Sequence, residues 1–507
     1  MLSSRVSSER AIGLAQRIAI AAALAALVAW SAWTRWRVLG ASPFPVGVDG
    51  YFYPIQLRSL LEHGSLAYPA SPLAFWLMWP FAAATDPIEG AKLAAAIYTA
   101  LVALPAYGIG ARLGKSPGAG LVAASLATTS AGSMFLTIEF VKNGIGLTIG
   151  LTALWLALRA LEQRTRLRIG LAAAGVIAAF LAHKTAAALV IVIAVPAALA
   201  EAAAVGALRG RRLIYTIGAL LVFALVALAL GLVAPERFLS PDDLDHALFG
   251  EARWDLPALA TGKVTLTMGR EALLAALVSA GALAIVLRRM APEHTPGARI
   301  AIIAIAALGL LLAFPWLAVS DPQGLGFRMR IIAFVPLALG AAVVAAALAT
   351  LAVPERWRAL ALAGLALAIV LAMPGERTQG KVLAHPAMVA AVQGLNGRIP
   401  DGAIAIVPER HIAFMVTWYT RTPFRQRPEA VPRERRWRVM PLAFIGMGSP
   451  LDQQLTAART APGLVPPIGT HPRHPNGLVL VTEATWEWIL ERLPPAAREH
   501  FARWPTI

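Results

Sequence analysis

Long apolar blocks recur along the chain at lengths close to the ~20 residues that a helix needs to cross about 30 Å of hydrocarbon. They fall at roughly 14–34, 88–111, 117–137, 142–161, 168–183, 185–206, 213–233, 270–288, 299–319, 331–352 and 358–373. Backbone in lipid must satisfy its own hydrogen bonds, which leaves helices and closed barrels, and uninterrupted Ala/Leu/Val blocks lack the alternation of barrel strands. Each block therefore reads as a spanning helix. The pattern changes after Pro374, where soluble-type alternation begins. HPAMVAAVQGLNGRIP reads as an amphipathic helix, GAIAIVP as a buried strand, HIAFMVTWYT as helix or strand, and NGLVLVTEATWEWILERLP as strand then helix. The expected fold class is a polytopic α-helical membrane protein of about 11 transmembrane helices with a small C-terminal extracytoplasmic α/β domain. Residues 1–373 form the membrane module, with a first outer loop over about 35–87, and residues 374–507 form the domain.

Composition agrees with this picture, at 58% hydrophobic and 14% charged residues. The net charge of +17 would suit a polyanion such as nucleic acid, but its placement speaks for a membrane instead. Short arginine-rich turns (RLGKSPG, RTRLR, RGRR, RRMAPEHTPGAR, PERWR) alternate with longer mixed-charge loops, the positive-inside signature. It places the amino terminus inside and, with an odd number of spans, the C-terminal domain outside. The first apolar block is too long for a signal peptide and lacks a small-x-small cleavage site, so it reads as a retained span. With no cysteine there is no disulfide and no thiolate chemistry.

Ionisable residues beside spans are costly and so are candidates for function. Asp49 stands in SPFPVGVDGYFY, followed by Tyr51 and Tyr53. It is placed to take a proton or hold a cation, or else to cap a helix starting near Tyr51. Glu139 lies at an outward turn between the third and fourth spans, where it either pairs with Lys142 one helical turn on or converges with Asp49. His183 and Lys184 interrupt IAAFLAHKTAAALVIVIAV; the lysine would hold a phosphate as a point charge or snorkel from a helix end. Arg328 and Arg330, two residues apart at a glycine-loosened entry, suit a bidentate phosphate clamp. DDLDH at 242–246 lacks the spacing and turn glycine of a calcium loop. No Walker loop and no HExxH motif is present, and no spans broken by Gly and Pro in matching halves point to a secondary transporter.

The first loop resembles that of the integral-membrane glycosyltransferases of the C superfamily, which includes protein O-mannosyltransferases, the aminoarabinose transferases of lipid A and the catalytic subunit of oligosaccharyltransferase. The matching residues are Asp49, Tyr51, Tyr53, Arg58, Glu62, Gly64, Pro69, Pro72 and Trp76. The resemblance covers the membrane part, about 1–373. It implies an inverting transfer from a polyprenyl-phosphate-linked sugar to an acceptor lipid, glycan or protein on the outer face. Asp49 would be base or metal ligand, and Glu139 the second acid. Tyr51, Tyr53, Arg58, Lys142, His183, Lys184, Arg328 and Arg330 would line the substrates. A divalent cation, magnesium or manganese, would be held by Asp49 and Glu139. The first loop departs from the superfamily in having Asp-Gly-Tyr where paired acids are usual, and no Trp-Trp-Asp run of the oligosaccharyltransferase kind follows. The competing readings are a non-catalytic flippase for lipid-linked sugars and an envelope assembly protein. No nucleic-acid partner is expected.

Overall fold

The computed structural model describes residues 2–235, 237–238, 266–288, 294–313, 331–372, 386–397, 399, 401–407, 410–425, 431–432, 435–441, 478–482, 491 and 495. Among them the helices are α1 (Leu2–Leu39), α2 (Phe52–His63), α3 (Leu73–Ala84), α4 (Pro87–Ala100), α5 (Ala103–Leu113), α6 (Pro117–Thr129), α7 (Ala131–Glu139), α8 (Val141–Glu162), α9 (Arg166–Ala182) and α10 (Lys184–Ala204). There follow α11 (Arg211–Val233), α12 (Leu266–Leu287), α13 (Pro296–Ala313), α14 (Phe334–Ala352), α15 (Glu355–Ala372), α16 (Pro386–Gln393) and α17 (Arg410–Thr420). Each of the eleven apolar blocks holds a helix, so the protein is a polytopic helical membrane protein. Among the described residues, seven helices are long and apolar enough to cross a membrane, or eight if the bent pair α6 and α7 is one span. The shortfall from eleven has local causes. Helix α9 has 17 residues, and α15 opens on Glu355, Arg356 and Arg358.

The chain divides into two compact units. Met1–Ala41, Tyr68–Pro80 and Lys92–Gln379 form the first; Ser42–Ala67, Phe81–Ala91 and Gly380–Ile507 form the second. In the first unit α8 packs on α5, α9 and α10, α10 on α13, α13 on α12, and α12 on α14, while α6 packs on α5, α14 and α15. Alanines fill these interfaces, with Ala119, Ala123, Ala153, Ala179, Ala187, Ala301 and Ala342 fully buried. Lipid tails are as apolar as leucine, so helices in a bilayer associate through close van der Waals packing, which small residues permit. By contrast α11 exposes Leu221, Val222, Leu225, Val226 and Val233, as a lipid-facing helix does.

At the start of α13 an acid from another helix closes the free amides. Glu201 of α10 accepts from the Gly297 amide at 2.9 Å at the start of α13. Among the described glycines the closest approach to backbone is at Gly132, where an added Cβ would lie 2.2 Å from the Ile331 carbonyl oxygen. Gly132→Ala is expected to destabilise the protein by about 1–3 kcal/mol, because the obstacle is backbone that must move. Thermal unfolding in detergent checks this.

In the second unit β1 (Ile404–Ile406), β2 (Phe424–Arg425), β3 (Arg436–Pro441) and β4 (Leu478–Thr482) form one sheet in the order β2-β1-β3-β4. Strand β1 is parallel to β2 and β3, and β3 is antiparallel to β4. Parallel neighbours need a crossover, and α17 supplies the one from β1 to β2. Its middle, Ile412, Ala413, Phe414, Met415, Val416 and Thr417, is buried. The strands expected in GAIAIVP and NGLVLVTE and the helix expected in HPAMVAAVQ are present, and HIAFMVTWYT is helical. The helix expected after β4 lies outside the described residues.

Candidate functional site

Asp49 sits in a turn closed by the Phe52 amide donating to the Asp49 carbonyl at 2.9 Å. The cap position of α2 belongs to Tyr51, whose side chain makes no capping bond. The Asp49 carboxylate meets Arg410 instead, Nε to Oδ1 at 2.9 Å, with side chains 14% and 46% exposed. From there α2 and α17 are matched rung by rung. Phe52 stacks on Phe414 at 5.4 Å between ring centroids. Arg58 lies over the Trp418 ring at 4.4 Å and donates to the Trp418 and Thr417 carbonyls at 2.8 and 3.3 Å. Glu62 pairs with Arg421 at 3.1 Å. Glu62 is followed two residues later by Gly64, whose φ of 67° makes the left-handed C-cap and whose amide returns to the Leu60 carbonyl. That conformation favours glycine, which gives Gly64, one of the first-loop residues named above, a structural reason.

Tyr51 is buried, and its hydroxyl lies 3.0 Å from that of Tyr419. Burial, and then the Tyr419 hydroxyl, push the Tyr51 phenol well above the ordinary tyrosine range; burial also raises Tyr419. Both stay neutral at physiological pH. They can share or donate hydrogen bonds but cannot serve as phenolate bases. Tyr53 is buried within α2.

The other expected residues belong to the first unit. Glu139 closes α7, and Lys142 stands in the first turn of α8, both partly buried. His183 forms the turn between α9 and α10 and caps α10, its Nδ1 accepting from the Thr185 amide at 3.3 Å. At 6% exposure it is held inside the protein. The Lys184 ammonium donates to the Pro235 carbonyl at 3.2 Å. Arg328, Arg330 and the DDLDH stretch lie outside the described residues. Among the described residues no three His, Asp or Glu side chains gather as metal ligands, and Asp49 faces a guanidinium.

Two charged side chains were not anticipated. Helix α1 continues to Leu39, which carries Arg35 out of the predicted loop and into the helix, where it is fully buried. Its Nε donates to Thr137 Oγ1 at 3.1 Å, Nη2 to Ser133 Oγ at 2.8 Å and to the Thr128 carbonyl at 3.1 Å, and Nη1 to the Ser31 hydroxyl and carbonyl. Thr137 in turn bonds Thr99 at 2.8 Å, so α1, α4, α6 and α7 share one polar knot. Glu271 of α12, 4% exposed, accepts from the Ala131 amide and, at 3.1 Å, from the Gly132 amide. Both hold the 45° break at Ser130 between α6 and α7. An acid heading the apolar block REALLAALV was the available signal for Glu271. Arg35 was hidden by a helix end placed one residue short of it.

By sequence, no protein-family model and no curated protein matches the chain. Among solved structures, ArnT from Cupriavidus metallidurans in the apo state aligns over 91% of this chain and 98% of its own, with a TM-score of 0.50 at 14% identity. The same protein bound to undecaprenyl phosphate aligns over 90% and 97%, at 0.52 and 15%. The Archaeoglobus fulgidus oligosaccharyltransferase in its apo form covers 79% of this chain and 64% of its own, at 0.48 and 14%. Over about nine-tenths of its length the chain shares the fold of ArnT.

Proposed function

We propose that the protein is a membrane glycosyltransferase that takes its sugar from a polyprenyl-phosphate-linked donor and works at the outer face of a bacterial inner membrane. The observation that carries this reading is the shared fold with ArnT bound to undecaprenyl phosphate, joined to a shielded carboxylate, Asp49, in the first loop. In the reaction the acceptor O–H loses its proton to Asp49 as its oxygen attacks the anomeric carbon. The bond from that carbon to the phosphate oxygen breaks, the polyprenyl phosphate departs as the leaving group, and the anomeric centre inverts. General-base help of this kind is worth about 10²–10⁴-fold in rate. Arg328, Arg330 and Lys184 are assigned to the donor phosphate, where fixed cations stabilise the charge that develops on departure. Glu139 is assigned to orienting the acceptor, and Lys142 and His183 to contacting the substrates. Tyr51, Tyr53 and Arg58 shape the loop that carries Asp49.

Mass spectrometry of lipids co-purifying with the detergent-extracted protein tests the donor class. Undecaprenyl phosphate or its glycosides should be enriched over bulk lipid; their absence from the purified protein would remove the polyprenyl assignment.

A further inference from the structure

We propose that Arg410 is the positioning residue for the Asp49 carboxylate, so that the base of the reaction is assembled from the first loop and a helix some 360 residues further on. The inference rests on the reading of Asp49 as the base.

The guanidinium Nε stands 2.9 Å from Asp49 Oδ1. Arg410 is itself fixed, because its Cζ lies 5.6 Å from the centre of the Phe414 ring, and that ring is wedged between Phe52 and Phe424 at 5.4 and 5.2 Å. Residues 410, 414 and 418 recur four apart and so share one face of α17. That face meets Asp49, Phe52 and Arg58 in the same order along the chain. A flexible surface ion pair contributes little because two long side chains must be immobilised. Here the aromatic wedge has already fixed the arginine, and the carboxylate is shielded. A contact through one oxygen restricts the carboxylate's rotation, which serves a base that must be aimed when the acceptor arrives.

The test uses the full-length chain in lipid nanodiscs, with undecaprenyl-phosphate-linked sugars and acceptor both supplied as a total lipid extract of the host membrane. Released undecaprenyl phosphate is the readout. Arg410→Ala should lower the maximal rate by about tenfold or more while the donor KM stays within about twofold, the signature of a lost interaction that matters only after binding. Arg410→Lys, which keeps the point charge, should recover most of the rate. Arg421→Ala removes another ion pair of the same helix junction and should leave both parameters at wild type. The proposal is overturned if Arg410→Ala turns over like the wild type, if Arg410→Lys is no better than Arg410→Ala, or if Arg421→Ala falls as far. Failure of the underlying reading looks different. An active Asp49→Asn removes the base whatever Arg410 does, whereas an inactive Asp49→Asn beside an intact Arg410→Ala keeps the base and discards its positioning residue.

Discussion

Asp49→Asn is expected to reduce sugar transfer by about 10²–10⁴-fold, because the amide fills the same space but cannot take the acceptor's proton. Binding of undecaprenyl phosphate by the purified variant is expected to match the wild type, since the substitution leaves a neutral polar group in the same turn. The two measurements belong together. Lost transfer with retained lipid binding is the result expected of an enzyme, while a flippase using the same cations would keep its lipid traffic. Transfer at the wild-type rate in Asp49→Asn would end the catalytic assignment. The fold of Asp49→Asn is expected to survive, as the amide has the size and polarity of the carboxylate and the Arg410 side chain is 46% exposed, so water can solvate the guanidinium.

The largest loss of stability is expected at Glu271. Glu271→Leu strands the Ala131 and Gly132 amides in a buried setting where each unsatisfied group costs about 1–3 kcal/mol. The variant should therefore lose about 2–6 kcal/mol in all. Glu271→Gln keeps one carbonyl oxygen as acceptor and should lose about half as much. Tryptophan fluorescence during thermal unfolding in detergent reads both variants. Equal melting of Glu271→Leu and the wild type would show that α7 does not depend on a cap from α12. A loosened α7 also carries Glu139 at its far end, so transfer should fall in parallel with the loss of ordered helix.

The eleven apolar blocks were legible because a spanning helix advertises itself through its length and its unbroken apolar character, two properties local to the chain. The turn at His183 was legible for the same reason: a histidine and a lysine interrupt an otherwise continuous apolar run, and α9 and α10 meet there. The first-loop motif was visible as residue types, yet the structural use of several of them was not. Arg58 reads as a substrate ligand and Glu62 only as a motif position in a linear reading; that they also meet Trp418, Thr417 and Arg421, about 360 positions away, is visible only in the folded chain. Arg410 drew no notice either, since one arginine among the many of a basic tail carries no distinguishing local pattern.

What the sequence by itself determined is the class of the protein: a helical membrane chain, with acids and bases concentrated in its loops and an irregular, mixed-charge segment after the last apolar block. Hydrophobic length and charge placement are one-dimensional, so one dimension suffices to read them. Only the tertiary structure decided that the loop holding Asp49 joins the C-terminal segment in one unit, that Arg35 and Glu271 fix the break between α6 and α7, and that Tyr51 is a neutral hydrogen-bonding group. Each of those depends on desolvation or on a partner from a distant stretch, and burial and charge pairing are properties of the folded neighbourhood rather than of the residue.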